Sequence, residues 1–292
     1  MSVPVSVDRV VDGVRLHVLS AGRPAQGRLP VLLVHGAPTT AALWVEVVRD
    51  LGLETTVAAP DQPGLGRSER PRGRSGPAEH ARTLVALLDD LGLDRVVVAA
   101  HGLGGAAAVQ LAVIAPRRVA GLVLCGTPLH ADAWPVPAVL PLLVPGVRLA
   151  LAAALARSRR LAEGLVGAAL GGRSAASAVT AGAPYAAALR TAGGARALVD
   201  ALAVVDMAAT EAAWALLRSA PPPTLLLWGE GDAVHTTAYG RRLAGELPGA
   251  AWVPVTGAGH LLPTERPERV AEELAAFAAE VVTTGQRGAP TP

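Results

Sequence analysis

The stretch Ala99-Ala100-His101-Gly102-Leu103-Gly104-Gly105 decides how the chain is read. It follows a short β-branched run, Arg95–Ala100, and precedes an Ala-rich helical pattern that Pro116 stops. A strand, a tight glycine-rich turn and a helix in that order form the frame that lifts a nucleophile out of a sheet. Small residues flank the centre because the turn is strained and the helix packs closely on the strand. The centre is Gly102, which tolerates such dihedrals without steric cost. The geometry of the turn can therefore persist while the position carries no reactive atom. The Leu103 N–H remains available to an oxyanion.

Working outward, β-branched runs alternate with helical patterns on both sides of this turn. That signals a mostly parallel sheet covered on both faces. Val3–Val7 and Val14–Ser20 read as a lead-in hairpin. Pro30–Val34 and Thr55–Ala59 read as strands, and Pro77–Leu91 as a helix with Leu84, Leu87, Leu88 and Leu91 on one face. Val119–Cys125 is a further strand. Alternation resumes with Thr224–Trp228, Thr237–Leu247, Ala251–Val255 and Pro267–Val282.

Three further loops leave strand ends, where open α/β sheets bind ligands. His35-Gly36-Ala37-Pro38, with Trp44 beyond it, lets the Ala37 N–H face a developing oxyanion. Trp228-Gly229-Glu230-Gly231-Asp232 brings an acid to the site, and Thr256-Gly257-Ala258-Gly259-His260 brings a base, followed by Leu261. Asp232 and His260 each read singly as turn residues. Together, after the last two strands and in order with the other loops, they read as a site.

These motifs, with the Asp61–Ser68 turn, resemble the α/β-hydrolase superfamily, in particular its epoxide hydrolase, haloalkane dehalogenase and haloperoxidase-like branch. The resemblance covers about residues 1–125 and 224–282. It implies an α/β-hydrolase fold with an eight-stranded sheet and a helical cap. It implies Asp232 as orienting acid, His260 as general base, and Ala37 and Leu103 as oxyanion donors. The departure is Gly102, where relatives carry Ser or Asp. The expected domains are a core of 1–126 and 224–282, a cap of 127–223 and a disordered tail of 283–292. His35, Trp44, His101, Trp134 and Leu261 are the expected pocket residues. His35 is read as bracing the oxyanion loop and His101 as packing. His130, at the start of the cap, is a weaker candidate. His235 is expected on a surface loop, Cys125 as an inert buried thiol, and His17 and His80 receive no role.

Losing a triad serine costs about 10⁶-fold in kcat, which against a median enzyme leaves on the order of one turnover a day. Covalent ester hydrolysis is therefore not the expected reaction. A His–Asp dyad facing two backbone donors can still abstract a proton, stabilise an enolate or activate water. Proton transfer, cyclisation, epimerisation, elimination, or water-mediated opening of an ester, lactone or epoxide follow, as in atypical members of this fold in natural-product pathways. Three alternatives stand beside this: a serine hydrolase whose Ser was replaced by Gly, a non-catalytic ligand-binding protein, and an unusual nucleophile.

Composition narrows the rest. All 26 basic residues are Arg, and Lys and Asn are absent. This points to a GC-rich, actinobacterial-type genome, so Arg number carries no functional message. With a net charge of +2 and no basic stripe, nucleic-acid binding is not expected. A single cysteine excludes an internal disulfide and a cysteine zinc site. No cofactor and no metal are expected, and the Gly102–Gly105 run lacks the lysine of a phosphate loop. No signal peptide is read at the N-terminus, and Pro137, Pro141, Pro145 and Arg148 interrupt the most apolar stretch, Val136–Ala156. A cytoplasmic protein is expected, with a small apolar organic substrate and no stable membrane insertion. Oligomeric state is not legible.

Overall fold

The computed structural model describes residues 3–71, 76–133, 144–169, 183, 185–187, 189, 190, 192–203 and 206–287. Eight strands form one sheet in the order β1-β2-β4-β3-β5-β6-β7-β8. They are β1 (Val5–Val11), β2 (Val14–Ala21), β3 (Val31–Val34), β4 (Val57–Pro60), β5 (Val96–His101), β6 (Val119–Cys125), β7 (Thr224–Gly229) and β8 (Ala251–Val255). β1 pairs with β2 and β2 with β4 in antiparallel fashion, and every other pairing is parallel. This is the α/β-hydrolase architecture expected from the alternation of strand and helix patterns.

Helices cover both faces. Those of the core are α1 (Val45–Leu51), α2 (Pro77–Asp90), α3 (Gly104–Ile114), α8 (Thr237–Glu246), α9 (Leu262–Glu265) and α10 (Pro267–Arg287). Between β6 and β7 lie α4 (Pro145–Arg157), α5 (Arg159–Ala169), α6 (Ala192–Ala203) and α7 (Met207–Ser219), with no strand among the described residues there. The helix expected over Pro267–Val282 continues to Arg287, so the tail expected to be disordered from Thr283 is helical over its first five residues. An amphipathic helix with its apolar side on the sheet propagates at little cost per residue, which carries it through the weaker formers Thr283, Thr284 and Gly285.

The central strands are buried on both sides, as period-2 side chains in a covered sheet require. Val31, Leu33, Val97 and Ala99 join one core cluster with α1 and α10, while Leu32, Val34, Val98 and Ala100 join the other with α2 and α3. The strand order reverses at β3: β4 lies on one side of it and β5 on the other. The loops after β3 and β5 therefore diverge and open a crevice at the carboxyl ends of the strands. Among the described residues no helix is long and apolar enough to cross a membrane.

Candidate active site

The turn after β5 has the geometry its sequence predicts. Gly102 has φ +55°, and a Cβ built there would meet no atom within 4 Å. The Gly102 N–H donates to the Cys125 carbonyl at 3.0 Å, and the Gly102 carbonyl accepts from Gly105 N at 3.1 Å. The turn is held although no side chain projects from its apex. Leu103 stands immediately before α3, where helix N–H groups lack intrahelical partners and favour negative charge. The loop after β3 lies directly against this turn: a Cβ on Gly36 would sit 2.5 Å from Leu103 N. Ala37 and Leu103, the two expected oxyanion donors, line one small open cleft of about 30 Å³ with Gln62, Leu65, His80 and Ala201; His260 and Asp232 are not among its lining residues.

The acid and base meet as expected. His260 Nδ1 lies 3.0 Å from Asp232 Oδ2, with both side chains buried. Asp232 Oδ1 accepts the Val234 and His235 N–H groups at 2.8 Å each. Burial opposes charge on Asp232, but the His260 hydrogen bond and the His235 N–H hold its carboxyl below the usual range. An ionised carboxylate only accepts, so His260 Nδ1 carries the proton and Nε2 presents its lone pair. The two loops are tied backbone to backbone, with Gly231 N donating to Ala258 O at 2.8 Å and Glu230 N to Val255 O at 3.1 Å.

Two more imidazoles flank the base. His101 Nε2 donates to the His260 carbonyl at 2.7 Å, and the two rings lie 4.8 Å apart. Burial and the His260 ring bring His101 down to about 3. His235 is buried and meets His260 edge to face at 5.3 Å, which corrects the expectation of a surface residue. Burial and the His260 ring lower it to about 4. Both rings are neutral near pH 7, so His260 is the one imidazole of the cluster with a carboxylate on Nδ1. Sequence reasoning missed His235 because its contact is made by the loop curling around Asp232, which no motif encodes. It missed Gly126 as well. A Cβ there would lie 3.1 Å from both Asp232 Oδ2 and His260 Nδ1, so this glycine clears the space the dyad fills.

Other expected pocket residues are supports and not walls. Trp44 is fully buried in the core and His35 is fully buried behind its loop. His35 Nε2 accepts the Gln62 N–H at 2.9 Å, and the Gln62 side chain donates to the His35 carbonyl. His35 thus braces the oxyanion loop, and burial lowers its pKa. Leu261 is buried in the core beneath α9. Trp134 lies outside the described residues. His80, given no role by the sequence, contacts the Gln62 side-chain Oε1 at 2.7 Å, and burial lowers it to about 4. His130 bonds Tyr239 at 3.1 Å and Glu246 at 3.1 Å, where it anchors the exit from β6 to α8. Burial pushes the Cys125 thiol up to about 12, which makes it inert.

The order of elbow, acid and histidine on this sheet agrees with the sequence comparison, in which the profile of the alpha/beta hydrolase family matches residues 31–273. The chain belongs to the α/β hydrolase family. It is 29% identical over 269 residues to haloalkane dehalogenase 2 of Mycobacterium tuberculosis, covering 89% of this chain and 90% of that protein. Epoxide hydrolase A of Mycobacterium tuberculosis is 38% identical over 128 residues, 41% of this chain and 38% of that protein. Among solved structures, a thermophilic esterase from Thermogutta terrifontis superposes with TM-score 0.76 at 25% identity, covering 95% of this chain and 99% of that one. A haloalkane dehalogenase from Bradyrhizobium elkani gives TM-score 0.78 at 22% identity over 96% and 99% of the two chains. That last likeness shows the fold. The family's hydrolases set the context in which Gly102 is read.

Proposed function

We propose that this α/β hydrolase works without a covalent nucleophile, using the His260–Asp232 dyad as a base and the Ala37 and Leu103 N–H groups as oxyanion donors. The carrying observation is the buried 3.0 Å His260–Asp232 contact beside an apex at Gly102 that presents no side chain. The most economical reaction is water-mediated opening of a small, largely apolar ester, lactone or epoxide. His260 Nε2 takes a proton from water, the hydroxide attacks, and the N–H pair stabilises the oxygen that gains charge. Proton transfer, cyclisation or epimerisation use the same groups. The apolar class of substrate follows from the cleft: the polar ends of Gln62 are committed to His35 and His80, leaving Ala37, Leu65, Leu103 and Ala201 at its surface. On this reading helices α4–α7 form a cap, with Leu189, Gly194 and Leu198 against the loops of Pro38–Thr40 and Gly64–Gly66.

The test is a single turnover in ¹⁸O-water with γ-lactones and styrene oxide. Direct attack puts ¹⁸O into the first-turnover product and needs His260. Activity that survives His260→Ala would end this reading. A second reading, a serine hydrolase whose nucleophile became glycine, is favoured by the open space at Gly102, where a side chain would meet no atom within 4 Å although φ +55° would strain it.

A further inference from the structure

A second acid–base–hydroxyl row, made of Ser6, His17 and Asp61, stands toward the β1 edge of the sheet, with Asp61 Oδ1 also 3.8 Å from His35 Nε2. It arises from strand order. β1, β2 and β4 are neighbours, with Ser6 opposite Leu19 and Asp8 opposite His17. Cross-strand partners share a face, so Ser6 lies diagonal to His17 on one face of the hairpin. Asp61 follows β4, and its N–H donates to the His17 carbonyl at 2.8 Å. Three side chains thus meet across three adjacent strands.

The geometry is that of a relay. Ser6 Oγ lies 2.5 Å from His17 Nε2, and His17 Nδ1 lies 2.9 Å from Asp61 Oδ2. Asp61 also accepts the Ala41 N–H at 2.7 Å and the Arg67 N–H at 2.8 Å, which fix its carboxylate. With Asp61 ionised, Nδ1 carries the histidine proton and Nε2 accepts from Ser6. Arg67 Nη1 lies 3.1 Å from Ser6 Oγ and 3.2 Å from His17 Nε2. His17 and Asp61 are buried while Ser6 is exposed, so base and acid are fixed and the hydroxyl is reachable. A His–Asp pair could serve only to tie the first hairpin to the loop after β4. That role needs neither an exposed hydroxyl on Nε2 nor a guanidinium beside it.

We propose that Ser6 is a nucleophilic, acylatable serine, activated by His17 and Asp61 and independent of the Gly102 site. Its substrates are small activated acyl or phosphonyl esters, because an exposed strand residue meets them without a deep pocket. Ser6 Oγ bonds to the acyl carbon while its proton passes to His17 Nε2. The carbonyl oxygen, now negative, faces the Arg67 guanidinium. The tetrahedral adduct collapses, the C–O bond to the leaving group breaks, and the departing alkoxide or phenoxide takes the proton from Nε2. Water repeats the sequence and releases the carboxylic acid. With one guanidinium in place of two aligned backbone N–H groups, deacylation is slow and the acyl-enzyme accumulates.

The full chain is mixed with p-nitrophenyl acetate, and separately with an alkyl fluorophosphonate, then digested and mapped by mass spectrometry. The expected result is a burst approaching one equivalent of p-nitrophenolate, with the adduct on Ser6. Ser6→Ala removes the burst, and His17→Gln slows labelling of Ser6 by about 10²-fold or more. Exposed Ser219 serves as internal reference, so the answer does not depend on whether His17→Gln folds. Labelling of Ser6 no faster than Ser219 overturns the proposal. Labelling of Ser6 that disappears in His260→Ala would also overturn it, by tying the reaction to the other site.

Discussion

The two ends of the sheet hold complementary incomplete sets. At the carboxyl ends of β5, β7 and β8 stand Gly102, Asp232 and His260, with Ala37 and Leu103 lining a small cleft nearby. At the β1–β2–β4 edge stand a hydroxyl, a base and an acid, with an arginine in place of backbone donors. A His–Asp pair by itself therefore says little about chemistry. What differs is the partner offered to Nε2: open space beside Gly102 in one case, the Ser6 hydroxyl in the other.

His260→Ala should lower turnover of any true substrate about 10⁴-fold. Asp232→Asn should cost nearly as much, since in triads the wrong imidazole tautomer costs about 10⁴-fold. Both are read from steady-state rates on folded protein, and a loss under tenfold would count against the dyad. At the edge, Ser6→Ala should abolish the ester burst and leave the fold intact, because Ser6 is exposed. Circular dichroism and burst amplitude, taken together, check this.

Acid separates the regions next. His80, His101 and His235 titrate in the fold at about 4, 3 and 4, all lowered chiefly by burial. Unfolded histidine titrates at about 6.5, so the unfolded chain binds the extra protons. Stability is therefore full above about pH 6.5 and is lost progressively toward pH 4. Depressed carboxyls such as Asp61 and Asp232 add a loss only below about pH 4, their unfolded range. Denaturant midpoints measured from pH 7 to 4 should fall, and His235→Phe should flatten that fall. An unchanged slope would show that His235 is not buried neutral. The smallest effect expected is that of Gly126→Ala. Its methyl group presses on both members of the dyad and should destabilise by about 1–3 kcal/mol while leaving Ser6 labelling unaffected.

How far the site could be read from sequence follows from where each contact originates. The elbow was legible because strand, turn and helix are contiguous, and Gly102 interrupts a pattern whose neighbours are all present. Asp232 and His260 were legible because each ends a strand. Strand limits fell within a few residues, with β4 beginning at Val57 and not Thr55. His17 was opaque: its carboxylate partner is 44 residues away, and only the strand order β1-β2-β4 brings them together. Trp44 was read as lining the pocket because it follows the oxyanion loop, whereas it is buried in the core; His35, read as bracing that loop, is tied to Gln62.

The proposed base-only chemistry requires the His260–Asp232 dyad and the Ala37 and Leu103 N–H groups to converge on the Gly102 apex. A Ser6→Ala/Gly102→Ser double variant tests it against p-nitrophenyl acetate, with Ser6→Ala alone as its partner, so that the edge serine cannot contribute. No burst is expected from the single variant and a burst of about one equivalent from the double variant, with acetate on residue 102 and loss of both on adding His260→Ala. A folded double variant that acquires no acetate would contradict it, because the base, acid and donors would then not converge on the apex.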